Sequence, residues 1–254
     1  MASRPGGARA LVAAMAAALA LPVLAYLLPP TAILKRLGQR REALSLSTLE
    51  VQGTLQAQGP SLERLQASLA QPPGAPGLAA RILLKVPGRC RLEIVGATPA
   101  ESPFLVLREG KGAPEGALAS DPAAVALIRA VCTLLATSTA GDASPGFAAA
   151  LARRGVSLAD ESLGRFDGKL AYVIGGRPRD PKPLLFVDKD SFQPLRLIAA
   201  EGGPLLDVRF LGWGSPTGGD WFPRALEVAE GEALRLRFTT ERASANGRIA
   251  EGAW

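Results

Sequence analysis

Few residues in this chain stand at spacings that could do chemistry. Carboxylates are paired at Asp160/Glu161 and at Asp188/Asp190. Two carboxylates facing one another across a cleft would make a glycosidase-like acid/base pair. The second pair, however, falls in VDKDSFQP between two strand-like runs, where Asp, Lys and Ser belong for turn reasons alone. The stretch GKGAPEG holds glycines and a lysine, but it does not follow the order of a phosphate-binding loop and does not open a helix directly, so it reads as a hairpin loop. The chain has no histidine, which removes Ser-His-Asp and Cys-His catalysis and the commonest zinc ligand. Trp213 and Trp221 flank GSPTGGD, a spacing open to sugar stacking, though tryptophans so placed are more often half-buried at a sheet rim. No catalytic residue, metal ligand set or cofactor motif follows from these residues, and a carboxylate hydrolase is the reading they favour least.

Cys90 and Cys132 are the only cysteines. An even pair in an oxidising compartment reads as a disulfide; the alternative is two buried small hydrophobes that never meet. Cys90 falls on an expected strand (RCRLEIVG) and Cys132 on an expected helix (ALIRAVCTLLA), so a bridge would pin helix to sheet. No Cys-x-x-Cys is present, so redox catalysis is not expected.

The address lies in the first residues. MASRPGGAR carries two arginines and no acid, ALVAAMAAALALPVLA runs apolar without a charge, and Val23-Leu24-Ala25 offers a small-residue cleavage site. This is the plan of a secretory signal peptide over residues 1–25. The alternative is an uncleaved N-terminal anchor, since Tyr26, Leu27 and Leu28 prolong the run towards the ~20 residues that span a bilayer. Both place the rest of the chain outside the cytoplasm, in the periplasm. Leaving out Arg4 and Arg9 lowers the formal charge from +6 to +4. With no basic block interleaved with aromatics, nucleic acid is not an expected partner.

Residues 26–45 read as a linker and a short amphipathic helix from Thr31 to about Leu44, with Ile33, Leu34 and Leu37 as its apolar stripe. Alternation predicts strands at 46–58, 79–86, 89–95 and 104–108, the second and third joined at a Pro87-Gly88 turn. Residues 59–77 read as a short helix or an irregular arm, then a loop. A helical insert spans about 120–155: Asp121 as N-cap and Pro122 at the first position open one helix, and a second covers 146–154. Pairing resumes at LAYVIGG and runs to the C-terminus, where Trp254 is expected to end the last strand. From Pro183 onward four or five short runs alternate apolar and charged residues. Leu195, Leu197 and Ala199 are expected on one face; Leu206, Val208 and Phe210 oppose Asp207 and Arg209; Leu234, Leu236 and Phe238 oppose Arg235 and Arg237. Such alternation predicts an antiparallel meander with one buried and one wet face.

The run FVDKDSFQPLRLIAAEGGPLLDVRFLGW, followed by WFPRALEVAEGEALRLRFTTERASANGRI, resembles the C-terminal half of the periplasmic lipoprotein carriers LolA and LolB, and VPGRCRLEIVG is similar to an earlier hairpin of that superfamily. The resemblance spans roughly Leu46 to Trp254. It implies an α+β, mainly antiparallel fold: a strongly curved open sheet, or half-barrel, over residues 46–254 with helices covering the concave face. It further implies a non-enzymatic, monomeric carrier for acyl chains of lipoproteins or lipids, with inner- or outer-membrane transport partners. The lining expected for such a site is Leu84, Leu92, Phe104, Leu206, Val208, Phe210, Leu236 and Phe238 from the sheet, with Ile128, Val131 and Leu135 from the helix. The sequence departs from the type carriers in its Ala-rich middle helices. The family's lid-locking arginine has no motif-defined counterpart here, although Arg89 and Arg91 are available. The alternative on the same fold is an envelope interaction or sensor module whose cavity is filled by its own helices.

Overall fold

The computed structural model describes residues 27–69, 77–98, 101–108, 113–137, 144–200 and 203–254. The segment read as a signal peptide or anchor lies outside them, as does part of GKGAPEG. Among the described residues, no helix is long and apolar enough to cross a membrane.

Eleven strands form one antiparallel sheet: β1 (Thr48–Ala57), β2 (Leu78–Lys85), β3 (Arg89–Ile94), β4 (Phe104–Arg108), β5 (Glu161–Phe166), β6 (Lys169–Ile174), β7 (Leu184–Asp188), β8 (Pro194–Ala200), β9 (Leu205–Leu211), β10 (Ala225–Glu230) and β11 (Ala233–Ala245). Their spatial order is β4-β3-β2-β1-β11-β10-β9-β8-β7-β6-β5. The chain therefore walks outward from β1 to the edge at β4, crosses to the opposite edge at β5, and walks back until β11 pairs with β1. The sheet is open, with β4 and β5 at its two ends.

That crossing explains the helices. To pass from β4 to β5 the chain must traverse the whole sheet. It does so through a 3₁₀ turn (Ala117–Ser120), helix α3 (Pro122–Val131), a single π turn (Cys132–Ala136) and helix α4 (Ser144–Ala152). Helix α1 (Pro30–Glu42) precedes β1, and α2 (Pro60–Ser68) links β1 to β2. Helix α3 touches β3 and β4 and also β9, β10 and β11. In a flat sheet, β4 and β9 would lie six strand spacings apart, about 29 Å, whereas a ten-residue helix is only about 15 Å long. The sheet must curl around α3, and bulges supply the bends: register shifts occur at Gln52/Gly53 against β11, at Val228/Ala229 and at Phe186/Val187. The expected half-barrel is what forms.

Alternation assigns the two faces. The concave side is apolar and continuous with α1, α3 and α4 in one buried cluster. On the convex side a ladder of charges crosses four strands. Arg196 grips Asp207 through two N–H donors at 2.7 and 2.8 Å, Arg209 donates to the same carboxylate at 2.8 Å, and Glu227 pairs with Arg209 and Arg237 at 3.7 and 3.1 Å. This side also carries a small satellite cluster of Ala171, Val173, Leu184, Phe186 and Leu195, with the Arg196 guanidinium over the rings of Phe166 and Phe186.

Several expectations are corrected. Leu195 does not share a face with Leu197: pairing runs Phe186–Arg196 and then Val187–Pro194, so Leu195 is the bulged residue and joins the convex cluster. The last strand ends at Ala245, not at Trp254. The tail turns back across the outside of β2 and β3, held by Lys85 on Glu251 and by Arg91 donating to the Ala253 carbonyl at 3.0 Å. Residues 60–68, left open between helix and irregular arm, form a helix, and β5 was not anticipated at all.

Candidate ligand-binding face and its helical cover

Of the lining residues expected from the sequence, ten lie together. Leu84, Leu92, Ile128, Val131, Leu135, Leu206, Val208, Phe210, Leu236 and Phe238 belong to one cluster, and each is at most 4 % exposed. Phe104 does not join them. It pairs with Glu93, one residue out of phase with the inward Leu92–Leu105 pair, and stands on the convex face under the Arg91 guanidinium, 4.1 Å from its ring centre. Position 104 begins β4, where only one neighbouring strand constrains the phase. The concave face is also wider than expected, taking in Tyr172 and Ile174 of β6, Leu185 and Val187 of β7, and Phe222 of the loop before β10. The alternation of Tyr172 with Ile174 was visible in the sequence; which face curls inward was not, and Phe222 lies in a loop with no alternation to show.

Helix α3 lies against this face and is buried almost all round: Ala123, Ala124, Val125, Ala126, Leu127, Ile128, Ala130 and Val131 are all buried. A helix apolar on every side belongs inside a fold. Both its ends are fixed. At the N-terminus the buried Asp121 accepts from the Ala124 amide at 3.3 Å as N-cap, from the Ser61 hydroxyl of α2 at 3.0 Å, and from Arg64 at 3.5 Å. At the C-terminal end Cys132 is bonded to Cys90 of β3, with Cα atoms 5.7 Å apart. The expected disulfide forms and pins helix to sheet. Just beyond it, the Gly88 amide in the β2–β3 turn donates to the Ala136 carbonyl at 2.8 Å.

Helix α1 closes the same side differently. Ile33, Leu34 and Leu37 enter the core cluster, and the helix packs on α4. Its arginines add polar ties. The Arg36 guanidinium sits 5.1 Å from the ring centre of Phe192, which stacks on Tyr172 at 6.0 Å. Arg40 pairs with Asp220 at 3.1 Å. Arg41 is buried and donates to the Leu135 carbonyl at 2.6 Å and to the Trp221 carbonyl at 3.4 Å. Burial lowers its pKa to about 10, so it remains a cation at neutral pH. An arginine off the apolar stripe of an amphipathic helix is expected in solvent; Arg41 instead points inward. Arg89 and Arg91 face the opposite way, towards Glu251 and Glu93 on the convex side.

The paired carboxylates do structural work. Asp188 is buried and accepts from the amides of Asp190 and Ser191, both at 2.9 Å, and from Lys169 at 3.2 Å. Burial opposes its ionisation, but these donors outweigh it and hold its pKa below the ordinary carboxylate value. The turn so formed presents Phe192, with φ of 55°, to Arg36. Asp160 is exposed and lies 3.9 Å from Lys182. Trp213 stacks on Phe210 at 6.4 Å and donates to the Pro194 carbonyl at 2.8 Å, so it buttresses the sheet, while Trp221 stands at the rim beside α1. No group of three or more potential metal ligands occurs among the described residues.

No family model matches the sequence, and no curated protein matches it. Solved structures do. A LolA superfamily protein from Nitrosomonas europaea is 11% identical, with 88% of this chain and 96% of that one covered and a TM-score of 0.47. A DUF1329 family protein from Desulfovibrio piger is 10% identical over 89% and 97% of the two chains, with a TM-score of 0.40. MucB, solved in complex with MucA(peri), is 14% identical over 87% of this chain and 57% of its own, with a TM-score of 0.30. What these likenesses describe is fold alone.

Proposed function

We propose that this protein is a non-enzymatic, periplasmic binding protein or carrier for acyl chains of lipoproteins or lipids, held between the concave sheet face and its helical cover. The observation that carries the reading is the contrast between the two covering elements. Helix α3 is fixed at both ends, by the Asp121 cap and by the disulfide, whereas α1, seated by Ile33, Leu34 and Leu37 and tied by Arg36, Arg40 and Arg41, has no covalent bond to the sheet or to α3 among the described residues. Displacing α1 would free α4, on which it packs, and the rim at Phe192, Asp220 and Trp221, without breaking a covalent bond. An acyl chain seated there gains about 0.8 kcal/mol per buried CH₂ with no need for specific polar contacts.

Native mass spectrometry of the protein purified from the periplasm, before and after mild organic extraction, tests this. A removable adduct with the mass of a lipid or acylated peptide is the expected result. An adduct-free protein that also fails to take up a fluorescent fatty acid would overturn the reading.

One observation favours a second reading. Helix α3 already packs the middle of the concave face with buried Ile128, Val131 and Leu135. On that reading the half-barrel is filled by its own chain, and the protein acts as an envelope interaction or sensor module with a protein partner in place of a lipid.

A further inference from the structure

The two ends of the sheet are not alike. At one end β4 is covered by its own chain: the Val106 amide donates to the Glu115 carbonyl at 2.8 Å and the Glu115 amide returns to Val106 at 3.0 Å. At the other end β5 pairs with β6 and with nothing else among the described residues. The hairpin joining β5 to β6 turns on Asp167 and Gly168, both at positive φ (49° and 75°), a two-residue turn of the primed kind. Such a turn makes Phe166–Lys169 a hydrogen-bonded pair, and alternation then assigns Gly164–Ala171 and Ser162–Val173 to the same class. The Gly175 amide donating to the Asp160 carbonyl at 2.9 Å continues the series. The N–H and C=O groups of Glu161, Leu163 and Arg165 therefore point away from β6, and no hydrogen bond from elsewhere among the described residues reaches them. An uncovered edge of this kind is a template for another strand.

The side chains say which strand fits. We propose that two copies of this chain associate through their β5 edges, antiparallel and in a register centred on Leu163. In that register Leu163 faces its own copy, Glu161 faces Arg165 of the second copy, and Arg165 faces its Glu161, so both flanking pairs are of opposite charge. Ser162 faces Gly164, small against small. A slip by two residues towards the turn would set Glu161 against Asp167, like against like, and a slip the other way would leave Arg165 opposite Ala159. Only the centred register satisfies backbone and charge together, and it joins two half-barrels into one continuous sheet. A six-residue edge is a small interface, so the association is weak and reversible.

Sedimentation velocity of the full chain up to about 100 µM, a concentration at which a complex with a Kd of about 100 µM is substantially populated, tests the proposal. Wild type is expected to form dimers reversibly. Arg165→Glu and Glu161→Arg each turn both flanking pairs repulsive and should weaken association about tenfold or more. The double variant Glu161→Arg/Arg165→Glu restores opposite charges and should recover dimerisation, which a merely misfolded variant would not do. Leu163→Cys offers a second readout. A hydrogen-bonded antiparallel pair sets Cα atoms about 5.5 Å apart, within disulfide reach, so this variant should cross-link to itself on oxidation, and Arg177→Cys in the nearby loop should not. A wild type that stays monomeric at that concentration, single variants that associate as wild type does, or a double variant without recovery would each overturn the proposal.

Discussion

The guanidinium of Arg41 reaches the backbone carbonyl of Leu135 at 2.6 Å across 94 positions of sequence, and no carboxylate among the described residues accompanies it. Helix α1 and the π turn after α3 are thus joined by a cation bonded only to carbonyl dipoles. Burial costs a charge several kcal/mol, and two hydrogen bonds offset only part of it. The contact is therefore one of the few between the helical cover and the rest of the fold that can be released at low net cost.

Replacing Arg41 by Met should loosen that joint without unfolding the protein. The loss of charge-assisted bonds and the relief of desolvation oppose each other, so global stability should change by no more than about 2 kcal/mol. Locally, the amides of Cys132–Ala136 should exchange about tenfold faster or more, and a fluorescent fatty acid should enter faster. Hydrogen exchange read at those amides checks the first point; unchanged exchange would mean that the π turn does not depend on α1.

Reduction of Cys90–Cys132 separates the fixed element from the separable one. The 42-residue sequence separation corresponds to about 4 kcal/mol of lost stability in the chain-entropy treatment, measured as the shift in urea midpoint with and without reductant. If α1 is the part that moves, the rate of fatty-acid entry should be nearly the same in both forms. A large acceleration on reduction would transfer the gating role to α3.

Much of this architecture was legible because it rests on local rules. The Asp121-Pro122 start, the Pro87-Gly88 turn and the alternation of β9 need nothing beyond residue type and spacing, whereas in β11 the bulge opposite Val228/Ala229 takes Leu234 out of phase with Leu236 and Phe238, with which the sequence grouped it. Leu195 was misplaced because a bulge inverts the phase of a strand, and the bulge is set by pairing with β7, not by β8 itself. The segment ESLGRF was missed since a half-exposed edge strand has no apolar alternation to display. Ten of the eleven residues expected to line a cavity share one buried cluster, because between bulges the apolar positions keep a period of two on the strands and of three and four on α3 and the π turn after it. Arg41 could not be found: an arginine at the end of an amphipathic helix looks solvated until the loop carrying Trp221 and the π turn are folded over it.

The Asp121 junction should behave as a coupled unit. Asp121→Ala removes the N-cap and leaves the buried Ser61 hydroxyl without its acceptor, a loss of about 2–3 kcal/mol. Ser61→Ala alone should cost about 1 kcal/mol. The double variant should cost less than the two losses added together, by about 1 kcal/mol, because each change removes the same bond. Equilibrium unfolding of the four proteins measures the cycle; strict additivity would show that α2 does not hold α3 through this pair.

Acid sensitivity should trace to Asp188. Its pKa is lower folded than unfolded, because the amides of Asp190 and Ser191 and the Lys169 ammonium together outweigh the effect of burial. The folded state therefore binds a proton less readily than the unfolded chain. The stabilisation is fully present above the ordinary carboxylate range and is lost as pH falls through the lowered folded value. Lys169 is half-exposed, so its share is screened, and the two amide bonds carry most of the effect. Asp188→Asn keeps an acceptor for those amides but removes the charge, and should cost about 1 kcal/mol at neutral pH. Asp180 and Glu251 also titrate low and contribute to acid unfolding in both proteins. The informative quantity is thus the difference between wild type and variant, which should shrink towards zero as pH is lowered from about 5 to 2. A difference that does not change with pH would mean the turn is held by shape alone. The Phe192 ring would then meet Arg36 of α1 independently of that charge.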